Sequence, residues 1–306
     1  MASAQPRFGS SSVDYTSRPF QGRMLGTGLR SHPCAGGTAG SVTYLYSESK
    51  LVEVERGAAM RVDVSLVPGE VAAKDVQNAV VVVIDVLRAS STITTALANS
   101  CEEVIPAESI EEAITIASGY ARLDYVLGGE RRGLAVDGFD LGNSPYEYSE
   151  SKVAGKKVIL ATTNGTLAVK RYGGAKEIVI GCFLNADAVL RSLAAWRDHD
   201  VILLCAGQDE RFCIEDALCA GLYASGLAQT PGAALSDSAR AAAAMHERCK
   251  DSIEDALMGS DHGVYLASVG FGDDVRYCAR QSVLDVVPKV YDRRVIRKAR
   301  LGPEES

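Results

Sequence analysis

Apolar residues in this chain fall into short continuous runs, each followed by a polar, glycine-containing stretch and then by a helical pattern. The clearest run is Val80-Val81-Val82-Val83-Ile84-Asp85. Continuous β-branched character marks a strand buried on both faces, as in parallel sheets. Similar runs predict strands at Glu103–Pro106, Lys157–Ala161, Glu177–Ile180 and Val201–Cys205, and alternation over Met60–Leu66 predicts one more. Helical periodicity follows at Ser90–Asn99, Ile110–Ala121, Thr166–Tyr172, Ala186–Trp196 and Ile214–Leu227. Strands alternating with helices predict an α/β protein, layered α/β/α, with a largely parallel or mixed sheet. Segments 80–112 and 157–189 echo one another, as two βαβ-type halves would, although generic βαβ order produces the same echo.

The pattern stops at both ends. Residues 1–40 are rich in Ser, Gly and Arg, hold Asp14 as their one acid, and lack hydrophobic periodicity. Three readings of residues 1–59 stay open: a disordered extension, an organellar transit peptide, or a start placed upstream of Met60. At the other end, Arg293, Arg294, Arg297, Lys298 and Arg300 suggest that residues 291–306 form a basic, flexible tail. One α/β domain over residues 60–290 is expected between them.

Charge and composition remove several functions. A net charge of −7 argues against nucleic-acid binding. No apolar run approaches the roughly 18 residues of a membrane span. Eight cysteines contain no CxxC pair and do not cluster with the four histidines, so a zinc site or disulfide framework is not indicated. They read as reduced thiols in a cytoplasmic protein.

Candidate chemistry lies in the loops after the strands. Asp85 and Arg88 stand at the end of the first long run, before the Ser90-Ser91-Thr92 helix start, where a metal or an anion would be held. The plain alternative is an internal Asp85–Arg88 ion pair. A second, turn-dense segment between Leu127 and Pro145 contains Gly128-Gly129-Glu130-Arg131-Arg132-Gly133 and Gly142-Asn143-Ser144-Pro145. A third, Thr162-Thr163-Asn164-Gly165-Thr166, offers hydroxyls, an amide and backbone N–H groups to phosphate or sulfonate oxygens, or simply caps a helix. After the Val201–Cys205 strand, Cys205 and Arg211 have the spacing of a thiol phosphatase, but Asp209 and Glu210 between them oppose a thiolate. Glu215-Asp216 is an acid pair that, with Asp85, suits Mg²⁺, or else merely stabilises its helix dipole. Together these loops predict one shared crevice at the carboxyl ends of parallel strands.

The segments "MRVDV", "IDVLRASSTITTAL", "GGERRG", "GFDLGNSP", "TTNGT", "IEDALCAG", "HGVYL" and "DDVRYCA" resemble the 2-phosphosulfolactate phosphatases, in that family's order, over about Met60 to Pro288. The resemblance implies a layered α/β fold and a Mg²⁺-dependent phosphatase that converts (R)-2-phospho-3-sulfolactate to 3-sulfolactate on the route to coenzyme M. It implies that Asp85 holds Mg²⁺ or attacks phosphorus. The second Asp of haloacid-dehalogenase phosphatases would fall at Leu87, which disfavours attack. Glu215, Asp216 and Glu130 would support the metal. Arg88 and Arg131 would clamp anionic oxygens, Thr162, Thr163, Asn164, Gly165 and Thr166 would cradle an anion, and Asn143 and Ser144 would orient the substrate. His262 would be a general acid, or else a capping or core residue. The partner implied is a small anionic phosphorylated molecule, with homo-oligomerisation left open. The alternatives are a phosphatase of another small phosphorylated acid, a non-catalytic anion-binding protein with the same pocket, and a thiol phosphatase using Cys205.

Overall fold

The computed structural model describes residues 60–67, 69–70, 76–162, 174–209, 211–292 and 295–299. Eleven strands form one mixed sheet. They are β1 (Arg61–Ser65), β2 (Val80–Ile84), β3 (Glu103–Ala107), β4 (Tyr125–Arg131), β5 (Leu134–Ala135), β6 (Lys157–Ala161), β7 (Glu177–Gly181), β8 (Val201–Cys205), β9 (Ala234–Leu235), β10 (Pro288–Tyr291) and β11 (Val295–Lys298). The helices are α1 (Ala89–Ala98), α2 (Ile110–Ala117), α3 (Glu150–Val153), α4 (Ala186–Leu193), α5 (Ile214–Leu227), α6 (Asp237–Cys249), α7 (Ile253–Met258), α8 (Asp261–Ser268) and α9 (Gly272–Cys278). The strands expected at 80–85, 103–106, 157–161, 177–180 and 201–205 are all present within one residue, as is β1. The expected Thr166–Tyr172 helix lies outside the described residues.

The reason these strands were legible is visible in β2. Its five residues are completely buried, with Val80, Val82 and Ile84 packed into one apolar cluster and Val81 and Val83 into another. Helices α4, α5 and α6 fill the first side and α1 the second, giving the layered α/β/α arrangement. A strand covered on both faces has no polar side, so its sequence is an unbroken apolar run. Helices α5 and α6 approach so closely that a Cβ on Gly221 would lie 2.1 Å from the Ala242 carbonyl oxygen. Any side chain at that position would push the two helices apart.

The strand order is β5-β4-β6-β3-β11-β10-β7-β2-β8-β1-β9. Two parallel blocks, β4-β6-β3 and β7-β2-β8-β1-β9, flank the antiparallel β10–β11 hairpin. This corrects the expected basic tail, because Val295–Lys298 is a strand in the middle of the sheet. The folded domain therefore continues to at least residue 299, not 290. Arg297, placed above in the flexible tail, donates from Nε and Nη2 to Glu103 Oε2 at 2.8 and 2.6 Å. Lys157 Nζ reaches Glu103 Oε1 at 2.8 Å. Ile296, the apolar residue between basic neighbours, is fully buried and pairs with Val104.

The hairpin also corrects the picture of one parallel edge. Junctions β7/β10, β10/β11 and β11/β3 are antiparallel in succession, so the two blocks run in opposite senses. In a flat sheet β4 and β2, six pairings apart, would be about 29 Å from each other. Strand twist of roughly 20–25° per step departs from that flat geometry, and Arg88, just after β2, reaches the Gly133 carbonyl just beyond β4.

Glu103 links three strands, and its electrostatics give a test. Burial opposes its charge, but the hydrogen bonds and charges of Lys157 and Arg297 outweigh that and lower its pKa. A lowered acid contributes stability above its unfolded pKa and loses it as pH falls through the folded value. The contribution is thus full at neutral pH and fades below about pH 4.5. Glu103→Gln is expected to destabilise the fold by about 1–3 kcal/mol at pH 7, and by less at pH 4, in denaturant titrations. An equal loss at both pH values would contradict this role.

Candidate active site

Asp85 follows β2 directly and is 6% exposed. Its Oδ1 accepts the Ala89 N–H at 3.1 Å, its main-chain N–H donates to Ser90 Oγ at 3.0 Å, and its carbonyl accepts the Ser90 N–H. The carboxylate thus caps α1, placing an acid at the positive end of the helix. The hydroxyls that made this segment look like an anion cradle are internal. Ser91 Oγ donates to the Val86 carbonyl and Thr92 Oγ1 to the Asn143 carbonyl.

Arg88 does not pair with Asp85, which removes the simple ion-pair reading. Its Nη1 donates to Asp274 Oδ2 at 2.6 Å and its Nη2 to the Gly133 carbonyl at 2.6 Å. Its guanidinium carbon lies 4.3 Å from the centroid of the Phe271 ring. The side chains of Arg88 and Asp274 are 2% and 5% exposed. Ser144 Oγ completes the group by donating to Asp274 Oδ1 at 2.7 Å. Arg88 and Ser144 are thus brought together by Asp274, which has no role in the sequence analysis. The only signal for Asp274 lay in the "DDVRYCA" segment, and nothing local distinguishes a helix-dipole acid from a buried counter-ion.

Glu130 is strand-borne, which corrects the loop expected there. It is the next-to-last residue of β4, and Arg132-Gly133 forms the turn into β5 with φ of +53° and +76°. Two left-handed residues match the twist of a tight hairpin, and glycine takes the second without strain. The Gly133 N–H donates to Glu130 Oε2 at 2.7 Å, Arg88 takes the Gly133 carbonyl, and the Tyr265 hydroxyl donates to the Arg132 carbonyl at 2.8 Å. The last two contacts join the hairpin tip to Arg88 and to α8, and Glu130 comes within electrostatic reach of Asp85. Arg131 is not brought into the site. Side chains alternate along a strand, and its guanidinium turns to the Glu130 carbonyl and towards Glu111 of α2.

Glu215 and Asp216 open α5, 2% and 3% exposed. Asp216 ties the site's floor together. Its Oδ1 accepts the Val86 N–H at 2.8 Å and its Oδ2 the Gly207 N–H at 3.0 Å, joining the ends of β2 and β8. Glu215 Oε1 lies 3.5 Å from His262 Nδ1, near the start of α8. Asn143 is 5% exposed, and its Oδ1 has no hydrogen-bond partner. Thr162 is buried at the end of β6, which runs beside β4. Thr163, Asn164, Gly165 and Thr166 lie outside the described residues.

Like charges crowd Asp85 and Asp216. Burial pushes Asp85 up to about 6; the Ala89 N–H and His262 oppose this, while Glu130 and Glu215 add to it. Burial, Asp85 and Glu215 likewise push Asp216 well above the carboxylate range. Arg88 is matched by Asp274, and among the described residues His262 lies against Glu215 and offsets part of the rise at Asp85. Cys205 is buried, and burial followed by the Asp216 charge raises its thiol well above normal, the reverse of what a nucleophilic thiolate requires.

A divalent cation is the natural complement of such a cluster. Among the described residues no group of three His, Cys, Asp or Glu side chains is close enough to enclose an ion. Mg²⁺ does not need such a cage, since it takes one or two carboxylates, waters and substrate oxygens. The oxygens of Asp85, Glu130 and Glu215, whose like charges meet at Asp85, fit that requirement.

The layered fold thus gathers acids, an arginine and a histidine near the end of β2. The sequence pattern of the 2-phosphosulpholactate phosphatases matches residues 65–293, and the chain belongs to that family of phosphoric monoester hydrolases. It is 40% identical over 245 residues to a protein from Carboxydothermus hydrogenoformans, covering 79% of this chain and 99% of that one. It is 37% identical over 217 residues to one from Caldanaerobacter subterraneus, covering 71% and 90%, and 38% identical over 225 residues to one from Symbiobacterium thermophilum, covering 73% and 96%. All three carry the name probable 2-phosphosulfolactate phosphatase. No helix among the described residues is long and apolar enough to cross a membrane.

The raised Asp85 has a measurable cost. Its folded pKa near 6 against an ordinary 3.8 penalises folding once pH exceeds about 4, and fully above about 6. Metal-free Asp85→Asn is therefore expected to be more stable than the wild type by on the order of 2–3 kcal/mol at pH 8, with the gap closing towards pH 4. Thermal melts in EDTA across this range check it; a variant less stable at pH 8 would contradict the repulsive cluster.

Proposed function

We propose that the protein is a Mg²⁺-dependent phosphatase that hydrolyses the phosphate ester of (R)-2-phospho-3-sulfolactate. The observation that carries this reading is the set of buried acids crowded around Asp85, which suits metal-assisted phosphoryl transfer. The names of the relatives supply the substrate. Asp85 and Glu215, with Glu130 alongside, would hold Mg²⁺, which when bound supplies charge neutralisation for the phosphoryl oxygens. Asp85 acts here as a ligand and not as the nucleophile, its Oδ1 being held against the α1 start by Ala89.

The residues of the chain do the rest by positioning. Arg88 offers its fork to phosphate oxygens, and a planar guanidinium meets them better than an ammonium does. Asn143 Oδ1, buried and unpartnered, accepts a hydrogen bond from water or from the alcohol formed at C2. His262, oriented by Glu215 through Nδ1, delivers a proton to the departing ester oxygen. Phosphoryl transfer relies mainly on positioning and charge, so this set is sufficient. A cytoplasmic setting on the route to coenzyme M belongs to the same proposal, and the seven described cysteines, all free, accord with a reducing compartment.

Phosphate release should be measured from a panel of phosphorylated three-carbon acids with Mg²⁺ and with EDTA. The sulfonated substrate is expected to be preferred, and EDTA to abolish turnover. Asp85→Asn should lose at least about a thousandfold in kcat while melting cooperatively. Undiminished turnover in that variant, or in EDTA, would sink the metal mechanism. Preference for an unsulfonated acid would replace the substrate only.

A further inference from the structure

A buried ion pair by itself seldom stabilises a fold more than apolar residues of the same volume would. The environment of Arg88 is nonetheless elaborated well beyond a neutralising partner. One carboxylate oxygen of Asp274 takes Nη1 while the other is held by Ser144 Oγ. A main-chain carbonyl takes Nη2, and an aromatic ring covers the guanidinium face. Each contact restricts a different freedom: the Asp274 bond sets where the fork points, the Gly133 bond its roll, and Phe271 its plane. Ser144 prevents the Asp274 carboxylate from turning. A guanidinium has five N–H donors, and these bonds occupy one on each Nη, leaving others for oxygens of a bound anion.

The backbone of Arg88 is fixed equally well. It is the residue before α1, and Asp85 caps the same helix. An orientation imposed on the guanidinium by Asp274 is therefore an orientation relative to the Asp85 carboxylate. We propose that Asp274, locked by Ser144, is a positioning residue that holds the Arg88 fork in its phosphate-binding orientation. The proposal rests on the reading of Arg88 as a phosphate-binding group. It goes beyond that reading by assigning the orienting role to two residues from distant parts of the chain, 130 positions apart.

The test compares Ser144→Ala, Asp274→Asn, Arg88→Ala and the double variant Arg88→Ala/Asp274→Ala, each first checked for a cooperative melt. The readouts are kcat and KM with 2-phospho-3-sulfolactate, and inorganic phosphate affinity by calorimetry, which does not depend on turnover. Ser144→Ala leaves the ion pair intact and should fold normally, yet lose about 3–10-fold in kcat. Asp274→Asn should lose about 30-fold or more in kcat and about tenfold in phosphate affinity. Added guanidinium ion should restore activity or phosphate affinity to Arg88→Ala by at least about tenfold, and should do nothing for the double variant. That double variant removes both charges, so neither is left buried alone. Wild-type kcat and phosphate affinity in Ser144→Ala and Asp274→Asn, or equal rescue with and without Asp274, would overturn the positioning role. If Arg88→Ala itself retained activity and phosphate affinity, the reading of Arg88 would fail first and this inference with it. Should Asp274→Asn fail to fold, Ser144→Ala and the rescue comparison decide.

Discussion

A guanidinium that is 2% exposed sets the geometry of the whole site, because a charge taken out of water must be matched by a charge and by hydrogen bonds. Arg88 finds its counter-ion on α9 and a carbonyl on the β4–β5 turn. Neither segment is near it in sequence. Both must be in place before the charge is tolerable, so helix α9 and the hairpin tip are fixed with respect to the end of β2. Glu130, three residues before Gly133, arrives beside Asp85 for that reason, and its own bond to the Gly133 N–H holds it there.

This convergence depends on the C-terminal hairpin. Strands β10 and β11 stand between two parallel blocks and reverse the sense of one relative to the other. Glu103 receives Lys157 from β6 and Arg297 from β11, tying the first block to the hairpin, and Lys289 on β10 reaches Glu177 on β7 at 3.0 Å, tying the hairpin to the second. The basic character that made this segment resemble a solvated tail is what pairs it with acids on the neighbouring strands.

The strands of the sheet interior were legible because burial on both faces leaves an unmistakable apolar run. Helix α5 was legible over its full length, Ile214–Leu227, since its two ends carry an acid pair and a return to polar residues. The two-residue strands β5 and β9 carry no such signal. The four helices α6 to α9 went unassigned because they are short or largely polar on one side. In the site, Asp85, Glu215 and Glu130 could be found as acids at element ends. Their company could not be, since Arg88 has an acid three residues before it yet pairs with one 186 positions away. Arg131 shows the converse. Two adjacent arginines beside a glutamate look equivalent in sequence, and strand alternation sends Arg131 away from the face Glu130 occupies.

Asp85 meets two demands at once. As a helix cap it is held ionised by the Ala89 N–H and the dipole of α1; as a member of the acid cluster it is pushed towards protonation by burial, Glu130 and Glu215. Capping could be met by serine or asparagine at no electrostatic cost. The Asp85 carboxylate therefore lowers stability above about pH 6, where a neutral cap would not. Such a conflict between local stability and local charge is the usual mark of a site shaped by a ligand and not by folding. A cation resolves it in a way that protonation cannot. A proton would neutralise one acid and remove a donor, whereas a divalent ion neutralises two and leaves their oxygens engaged. The proposed Mg²⁺ would turn a site that repels a phosphate ester into one that accepts it, while Arg88, its charge matched by Asp274, offers only its remaining N–H donors.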